Sequence, residues 1–298
     1  MSTTILDGEP VASAIRDRVA DRSSSLRDRG IAPTLGTVMM SDAPSQRNFL
    51  ELKAQACDDL GIDHVDRRVS PSAATNALKT AVGELADDPD VDAVFVQTPL
   101  PEHVDTATVR SLIPLDKDVD CFHPETMGRL VTGNPRFVPA TTAAVCALLE
   151  HYQIPIAGRT VTMVGRTLTI GKPLANHLLR RGEPGNATIT VCHSLTSDLA
   201  AHTRRADVVI AACGQPELID AEMLSEGVTV VDISANRRIE DDESTVVGDV
   251  AFESARAVAD AITPVPGGVG PVTIAMLLRN VVTAAKRRES NRQSTDLG

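Results

Sequence analysis

Apolar runs of strand length alternate with amphipathic runs of helix length along the whole chain, and this alternation limits the fold more than any single residue does. "TLGTVMMS", "DHVDRRVS" and "VDAVFVQTPLP" read as strands. Between and before them, "PVASAIRDRVADRSSSLRDRG", "SQRNFLELKAQAC" and "SAATNALKTAVGELADD" read as helices, the first closed by Gly30. Strand–helix–strand order predicts a mostly parallel sheet with right-handed crossovers.

The pattern restarts near residue 140. "TTAAVCALLEHYQI" is a helix, "TVTMVG" a strand ending on Gly165, and "KPLANHLLRRG" the next helix. "ATITVCHS", "ADVVIAACG" and "GVTVVDIS" are strands, and the final helix is "IAMLLRNVVTAAKRR". The expectation is an α/β chain of two lobes joined without a flexible linker, with a cleft between them. Ligands of such sheets sit beyond the carboxyl ends of the strands.

Composition excludes several classes. A net charge of −11 argues against nucleic-acid binding. No apolar stretch approaches a membrane span of roughly 18 residues. "MSTTILDGEP" lacks the basic and apolar parts of a signal peptide, so a soluble cytoplasmic protein is expected. Five cysteines without a C-x-x-C pair indicate neither a disulfide framework nor a metal site. Arginine far outnumbers lysine, which fits a high-salt cytoplasm or high-GC codon usage equally. The last ten residues, "ESNRQSTDLG", are polar and are expected to fray.

The helix around Lys53 stands out. Phe49, Leu52, Ala56 and Leu60 recur at helical spacing and are expected to face the core, with Lys53 on the same face four residues after Phe49. A lysine on an apolar stripe can simply carry its head out to water. In a dry cleft it would instead have a lowered pKa and could exchange protons.

A second stretch, "VGRTLTIGKP" (164–173), puts a strand end at Gly165, a loop, and a helix opening at Gly171. Glycines permit close approach to a pyrophosphate, and a helix N-terminus offers free N–H groups. This is not G-x-G-x-x-G, and an ordinary strand–turn–helix reads the same way. The following strand ends in His193 and Ser194, without the acid that usually holds an NAD ribose, while Arg166 stands in the loop. A cation and a hydroxyl without a carboxylate favour NADP over NAD.

Together with "ILDGEPVA", "PLDKDVDCFHPETMGRL", "VVGDV" and "ITPVPGGVGPVTIAML", these segments run nearly end to end in an order that resembles the methylenetetrahydrofolate dehydrogenase/cyclohydrolase family. The resemblance implies an enzyme that oxidises methylenetetrahydrofolate to methenyltetrahydrofolate with NADP and hydrolyses this to 10-formyltetrahydrofolate, in one-carbon metabolism that feeds purine biosynthesis. It implies a folate-binding catalytic domain over 1–139, completed by the C-terminal helix 272–298, and a Rossmann-like domain over 140–271. Homodimers are implied; nucleic-acid, membrane and metal partners are not.

By resemblance, Lys53 is the catalytic lysine, Gln97 contacts the folate head and tunes it, and Asp120 holds the pterin. Phe49, Pro266, Gly267 and Gly268 are implied to line the folate site, with Val269 in the same loop. Gly165, Arg166, Thr167, Ile170, Gly171, Ser194, Ile233 and Gly270 are implied cofactor contacts. The pattern departs from the family at four places. Phe49 replaces a tyrosine, keeping the ring and losing the hydroxyl. Cys121 replaces a glycine, "PATTAA" (139–144) a Pro-Cys-Thr-Pro-x-Gly, and "DISAN" (232–236) an Asp-Val-Gly-Ile-Asn. A dehydrogenase with weak cyclohydrolase activity, or a non-catalytic folate/NADP-binding relative, is therefore the alternative expectation.

Overall fold

A computed structural model of the 298-residue chain describes residues 3–240 and 243–296, with the side chains of 45, 239–244 and 291–296 outside the description. In chain order the elements begin with β1 (Thr4–Ile5), α1 (Glu9–Arg27), β2 (Thr34–Met39), α2 (Pro44–Asp59), β3 (Asp63–Arg68), α3 (Thr75–Asp87) and β4 (Ala93–Val96). There follow α4 (Thr106–Arg110), α5 (Pro124–Val131), α6 (Ala140–His151), β5 (Thr160–Val164), α7 (Gly171–Leu179), β6 (Thr188–Cys192), α8 (Leu199–Thr203) and β7 (Val208–Ala211). The last are β8 (Thr229–Asp232), β9 (Asn236–Glu240), β10 (Glu243–Val247), α9 (Phe252–Arg256), β11 (Ala261–Ile262) and α10 (Val269–Asp296).

The chain divides into two compact units, one of residues 14–140 with 274–298, the other of 1–13 with 141–273. In the first unit β2 lies between β3 and β4, all parallel. Every residue of β2 is buried, as expected of a central strand covered on both faces. Leu78, Val82 and Leu85 of α3 pack on Val38, Val94 and Val96. Their i, i+4, i+7 spacing is what marked α3 as a helix.

The second unit carries a six-stranded parallel sheet in the order β1-β11-β8-β7-β5-β6, and its core includes Val164, Val209, Val230 and Ile262. Residues 1–13 were expected with the first lobe. They fall with the second because β1 pairs in parallel with β11, Thr4 opposite Ala261 and Ile5 opposite Ile262. Two residues of strand are too short for periodicity to reveal.

Two further expectations need correction. The α2 face was expected to bury Leu52, but Leu52 is 58% exposed. The buried stripe is Leu50, Lys53, Cys57 and Leu60, while Phe49 and Ala56 are half-buried at its margin. The stripe thus lies about one residue round from the expected one, and Lys53 is inside it. The C-terminal ten residues also do not simply fray. Helix α10 continues to Asp296, and Arg29 Nη1 donates to both carboxylate oxygens of Glu289 at 2.7 Å, tying its last part to the unit; residues 297–298 lie outside the described residues.

Candidate active site

In the first unit the site is built on α2, β4 and the "DKDVD" turn at 116–120. Lys53 is 1% exposed and its Nζ donates to Gln97 Oε1 at 2.9 Å. Gln97 follows β4 directly and is itself buried, its amide donating to Thr98 O at 3.2 Å. Phe95, two residues earlier and so on the same strand face, puts its ring centroid 3.9 Å from Lys53 Nζ. Phe49, one helical turn before Lys53, contributes a second ring at 5.3 Å. The ammonium therefore has one hydrogen-bond acceptor and two aromatic faces. Burial lowers its pKa from 10.5 to about 8, although the charges of Asp66, Asp120 and Cys57 act in the opposite direction. Cys57 is no nucleophile, because burial pushes its thiol up to about 12.

The turn at 116–120 gives each of its charged residues a different segment to hold. Asp116 pairs with Arg136. Lys117 Nζ donates to the carbonyls of Ala86 and Asp88 at 2.7 and 2.6 Å, closing the C-terminal end of α3. Asp118 is fully buried and accepts from the N–H groups of Phe122 and His123 and from the Thr126 hydroxyl, which fixes the entry into α5. Asp120 accepts from Ala140 N at 2.8 Å, at the start of α6. Burial pushes its carboxyl up to about 7, which the Ala140 hydrogen bond opposes, Asp118 reinforces and Lys53 opposes.

In the second unit the glycines of 164–173 are structural necessities. Gly165 has φ +125, and a Cβ there would meet Ala212 O at 2.1 Å. A Cβ on Gly171 would meet Gly165 O at 2.4 Å. The loop is packed to backbone distance at both ends. The free N–H groups expected at the α7 N-terminus are engaged instead: Ile170 N and Gly171 N donate to Thr167 Oγ1 at 3.2 and 3.3 Å, and Lys172 N donates to Thr167 O. Thr167 is thus a cap for α7, which spacing could not distinguish from a ligand contact.

Arg166 and Ser194 are exposed. Strands β5 and β6 pair with Val164 opposite Cys192, so each of the two residues follows its strand by two positions, beyond the sheet's carboxyl edge. Ile233 is half-buried just after β8, its N–H held by Ala211 O at 2.9 Å. In the loop before α10, Gly267 has φ +109 and Gly268 N donates to Pro264 O at 2.9 Å. Gly8, which sequence reasoning passed over, packs against this loop: its N–H donates to Gly267 O at 2.8 Å, and a Cβ would meet Gly268 O at 1.8 Å. Gly270 follows within α10.

Asp249, in "VVGDV", was also missed as an individual residue. Its carboxylate accepts from the N–H groups of Cys213, Gly214 and Gln215, from Ser234 Oγ and from Asn236 Nδ2, at 2.6 to 3.1 Å. It ties together the loops that leave β7 and β8. Burial alone would push this carboxyl up, but the bonds from Ser234, Asn236 and Cys213 outweigh burial and hold it below the ordinary 3.8.

Residues 6–120 match the model of the tetrahydrofolate dehydrogenase/cyclohydrolase catalytic domain, and residues 139–289 match that of its NAD(P)-binding domain. The chain belongs to the tetrahydrofolate dehydrogenase/cyclohydrolase family. The bifunctional protein FolD of Halobacterium salinarum is 48% identical over 288 residues, covering 96% of this chain and 97% of that protein. A crystal structure of the bifunctional FolD enzyme of Campylobacter jejuni, 38% identical, superposes with a TM-score of 0.89 over 96% of this chain and all of that one. The Trypanosoma brucei N5,N10-methylenetetrahydrofolate dehydrogenase-cyclohydrolase, solved with NADP and an inhibitor, is 34% identical with a TM-score of 0.90 over 96% and 98% of the two chains.

Within this family member three of the departures noted in the sequence sit in defined local geometry. Cys121 adopts φ +55, the left-handed region that glycine occupies without strain, and its thiol donates to Phe137 O at 3.0 Å. Ser234, in "DISAN", adds a hydroxyl that donates to Asp249. "PATTAA" opens α6 and supplies the Ala140 N–H that holds Asp120. Among the described residues no cluster of three or more His, Cys, Asp or Glu is placed to hold a metal.

Proposed function

We propose that this protein oxidises methylenetetrahydrofolate to methenyltetrahydrofolate with NADP and hydrolyses the product to 10-formyltetrahydrofolate. The observation that carries the reading is the buried Lys53 ammonium held on Gln97 between two aromatic rings, in a chain matched by both domains of the family. Lys53, Gln97 and Asp120 are the catalytic residues of this reading. Phe49, Gln97, Asp120, Pro266, Gly267 and Gly268 contact the folate. Gly165, Arg166, Thr167, Ile170, Gly171, Ser194, Ile233 and Gly270 surround the nucleotide.

The residues fit NADP: Arg166 and Ser194 present a guanidinium and a hydroxyl at the edge of adjacent strands, with no carboxylate at either position to repel a 2′-phosphate. NADP, when bound, supplies the hydride acceptor. The substrate nitrogen's lone pair drives hydride departure, so the protein's share of that step is alignment and exclusion of water. Hydrolysis asks more of the side chains. Water adds to the cationic amidine carbon and loses one proton. The carbon–nitrogen bond then breaks as the freed nitrogen gains a proton and the remaining hydroxyl proton leaves to form the formyl carbonyl, with one proton released overall. Lys53, with a pKa near 8, exists in both protonation states near neutral pH and can take and return that proton. Gln97 accepts from the ammonium without adding charge. Asp120 accepts from the pterin's ring N–H and amino group, contacts that favour its ionised form.

A cytoplasmic location and a supply of formyl groups for purine biosynthesis accompany this reading. Cysteines 57, 121, 146, 192 and 213 are all free thiols, which fits a reducing compartment. No helix among the described residues is long and apolar enough to cross a membrane. A homodimer joined along β6 is part of the same proposal: β6 is an edge strand, and Val191, Leu195 and the adjacent Leu179 are exposed. Light scattering on wild type and Val191→Lys tests it, and a wild-type monomer would end it.

The activity is tested by mixing purified protein with methylenetetrahydrofolate and NADP and following nicotinamide reduction. Reduction followed by loss of the methenyl intermediate is expected. Absence of reduction with NADP, and with NAD in its place, would refute the proposal.

A further inference from the structure

The first compact unit contains a cavity of about 530 Å3 between α1, residues 135–138 and α10. Arg18, Arg22, Arg136, Arg279 and Arg287 all line it. Arg18 and Arg22 are one turn apart on α1, a spacing at which like charges repel. Arg279 and Arg287 are two turns apart on α10 and face the same cavity.

Two of these guanidiniums have roles within the protein. Arg136 pairs with Asp116, yet its Nε is buried without a hydrogen-bond partner. Arg287 donates to Arg136 O at 3.0 Å and lies over the Phe137 ring at 4.6 Å. The guanidiniums of Arg18, Arg22 and Arg279 make no hydrogen bond or ion pair with any described residue. Burial, and then the charges of Arg22 and Arg18, press the Arg279 guanidinium below its ordinary value. This is a chain with 40 acidic and 29 basic residues, so carboxylates are plentiful elsewhere. Arg18 and Arg22 are exposed and Arg279 is half-buried, so three like charges face one concavity, an arrangement that a counter-charge entering it would relieve.

We propose that this cavity is a binding site for a small multivalent oxyanion, a phosphorylated or polycarboxylate molecule. Its volume falls in the range of about 300–1,000 Å3 that small-ligand sites occupy. The planar fork of arginine matches phosphate and carboxylate oxygens in pairs. Ile15, Val19 and Phe137 give the same cavity an apolar wall, against which a ligand's carbon skeleton can pack. No residue assigned above to folate or nucleotide lines it, so the site stands apart from the proposed reaction.

The test is calorimetric titration and thermal denaturation of the full chain at low ionic strength, with tripolyphosphate and citrate as probes. NADP itself carries phosphates, so Arg166→Gln serves as the control for binding at the nucleotide. The expected result is that wild type and Arg166→Gln bind at least one probe, while Arg22→Gln/Arg279→Gln binds it at least tenfold more weakly. The preferred probe then assigns the anion to the phosphorylated or the carboxylate class. Without probe the double variant should melt no lower than wild type, because like-charge repulsion has been relieved. If it fails to fold, the exposed Arg18→Gln replaces it, with weaker binding again expected. No binding of either probe to wild type, equal binding by the arginine variants, or loss confined to Arg166→Gln would overturn the proposal.

Discussion

Lys53 Nζ lies 3.9 Å from the centre of the Phe95 ring. The ammonium is buried and touches this ring, the Phe49 ring and the Gln97 amide oxygen, while the charges of Asp66 and Asp120 also favour its charged form. Phe95 therefore acts on the chemistry through Lys53: it favours the charged form that burial disfavours. A cation–π contact at a desolvated site is worth about 1–2 kcal/mol, which corresponds to about one pH unit. In Phe95→Leu the Lys53 pKa should fall by about that amount. The limb of the hydrolysis pH profile assigned to Lys53 should move to lower pH, with little change in hydride transfer. An unmoved limb would show that the ring only fills space.

Lys53→Met tests the lysine directly. Hydrolysis of methenyltetrahydrofolate should fall at least about 100-fold, the scale of a general acid–base contribution. Nicotinamide reduction should fall much less. Stability should change in the opposite direction. The folded-state pKa is depressed from 10.5 to about 8, so the unfolded chain binds the extra proton between those values. Wild-type stability therefore rises with pH across that window, and below it the buried charge costs about 3 kcal/mol. Urea unfolding should find Lys53→Met more stable than wild type at pH 7, with the difference shrinking toward pH 10.5. A variant that hydrolyses normally would remove Lys53 from the mechanism.

Asp120 sets the acid side. Its carboxyl is raised from 3.8 to about 7, chiefly by burial. A raised carboxyl contributes stability that is present below about 3.8 and lost as the pH climbs to about 7. Pterin binding needs the ionised form, so the KM for the folate should rise about tenfold for each pH unit below 7. Asp120→Asn should raise KM at pH 8 and abolish this dependence. A wild-type KM that is flat from pH 5.5 to 8 would contradict the role.

Phe49→Tyr restores the family's phenolic hydroxyl at the margin of the Lys53 site. One added hydrogen bond is worth about 1 kcal/mol, so hydrolysis should rise by about fivefold. Hydride transfer should stay within about twofold. A fall in hydrolysis would show that the site has been rebuilt around the missing hydroxyl.

Asp249→Ala would leave the N–H groups of residues 213–215 and the side chains of Ser234 and Asn236 without their shared acceptor. Denaturant unfolding should show a loss of about 3–5 kcal/mol, typical of breaking a buried charged network. The KM for NADP should rise because both loops leave the carboxyl ends of sheet strands. An unchanged stability would refute the network's importance.

The alternation of strand and helix patterns determined the two parallel sheets, because periods of two and 3.6 are written locally in the side chains. Lys53 and Gln97 could be singled out together only through the resemblance of their segments to the family, and the structure joins the two by a hydrogen bond. The local pattern could not place Leu52 outside and Lys53 inside, since a helix stripe is readable only to within about one residue and packing chooses its centre. It could not show Thr167 capping α7, because a cap and a ligand contact use the same hydroxyl at the same spacing. Nor could it bring Thr4 beside Ala261, Phe95 over Lys53, or Arg279 to the arginines of α1. Those juxtapositions join residues far apart in the chain, and only the tertiary structure, through burial and charge, decided what each of them does.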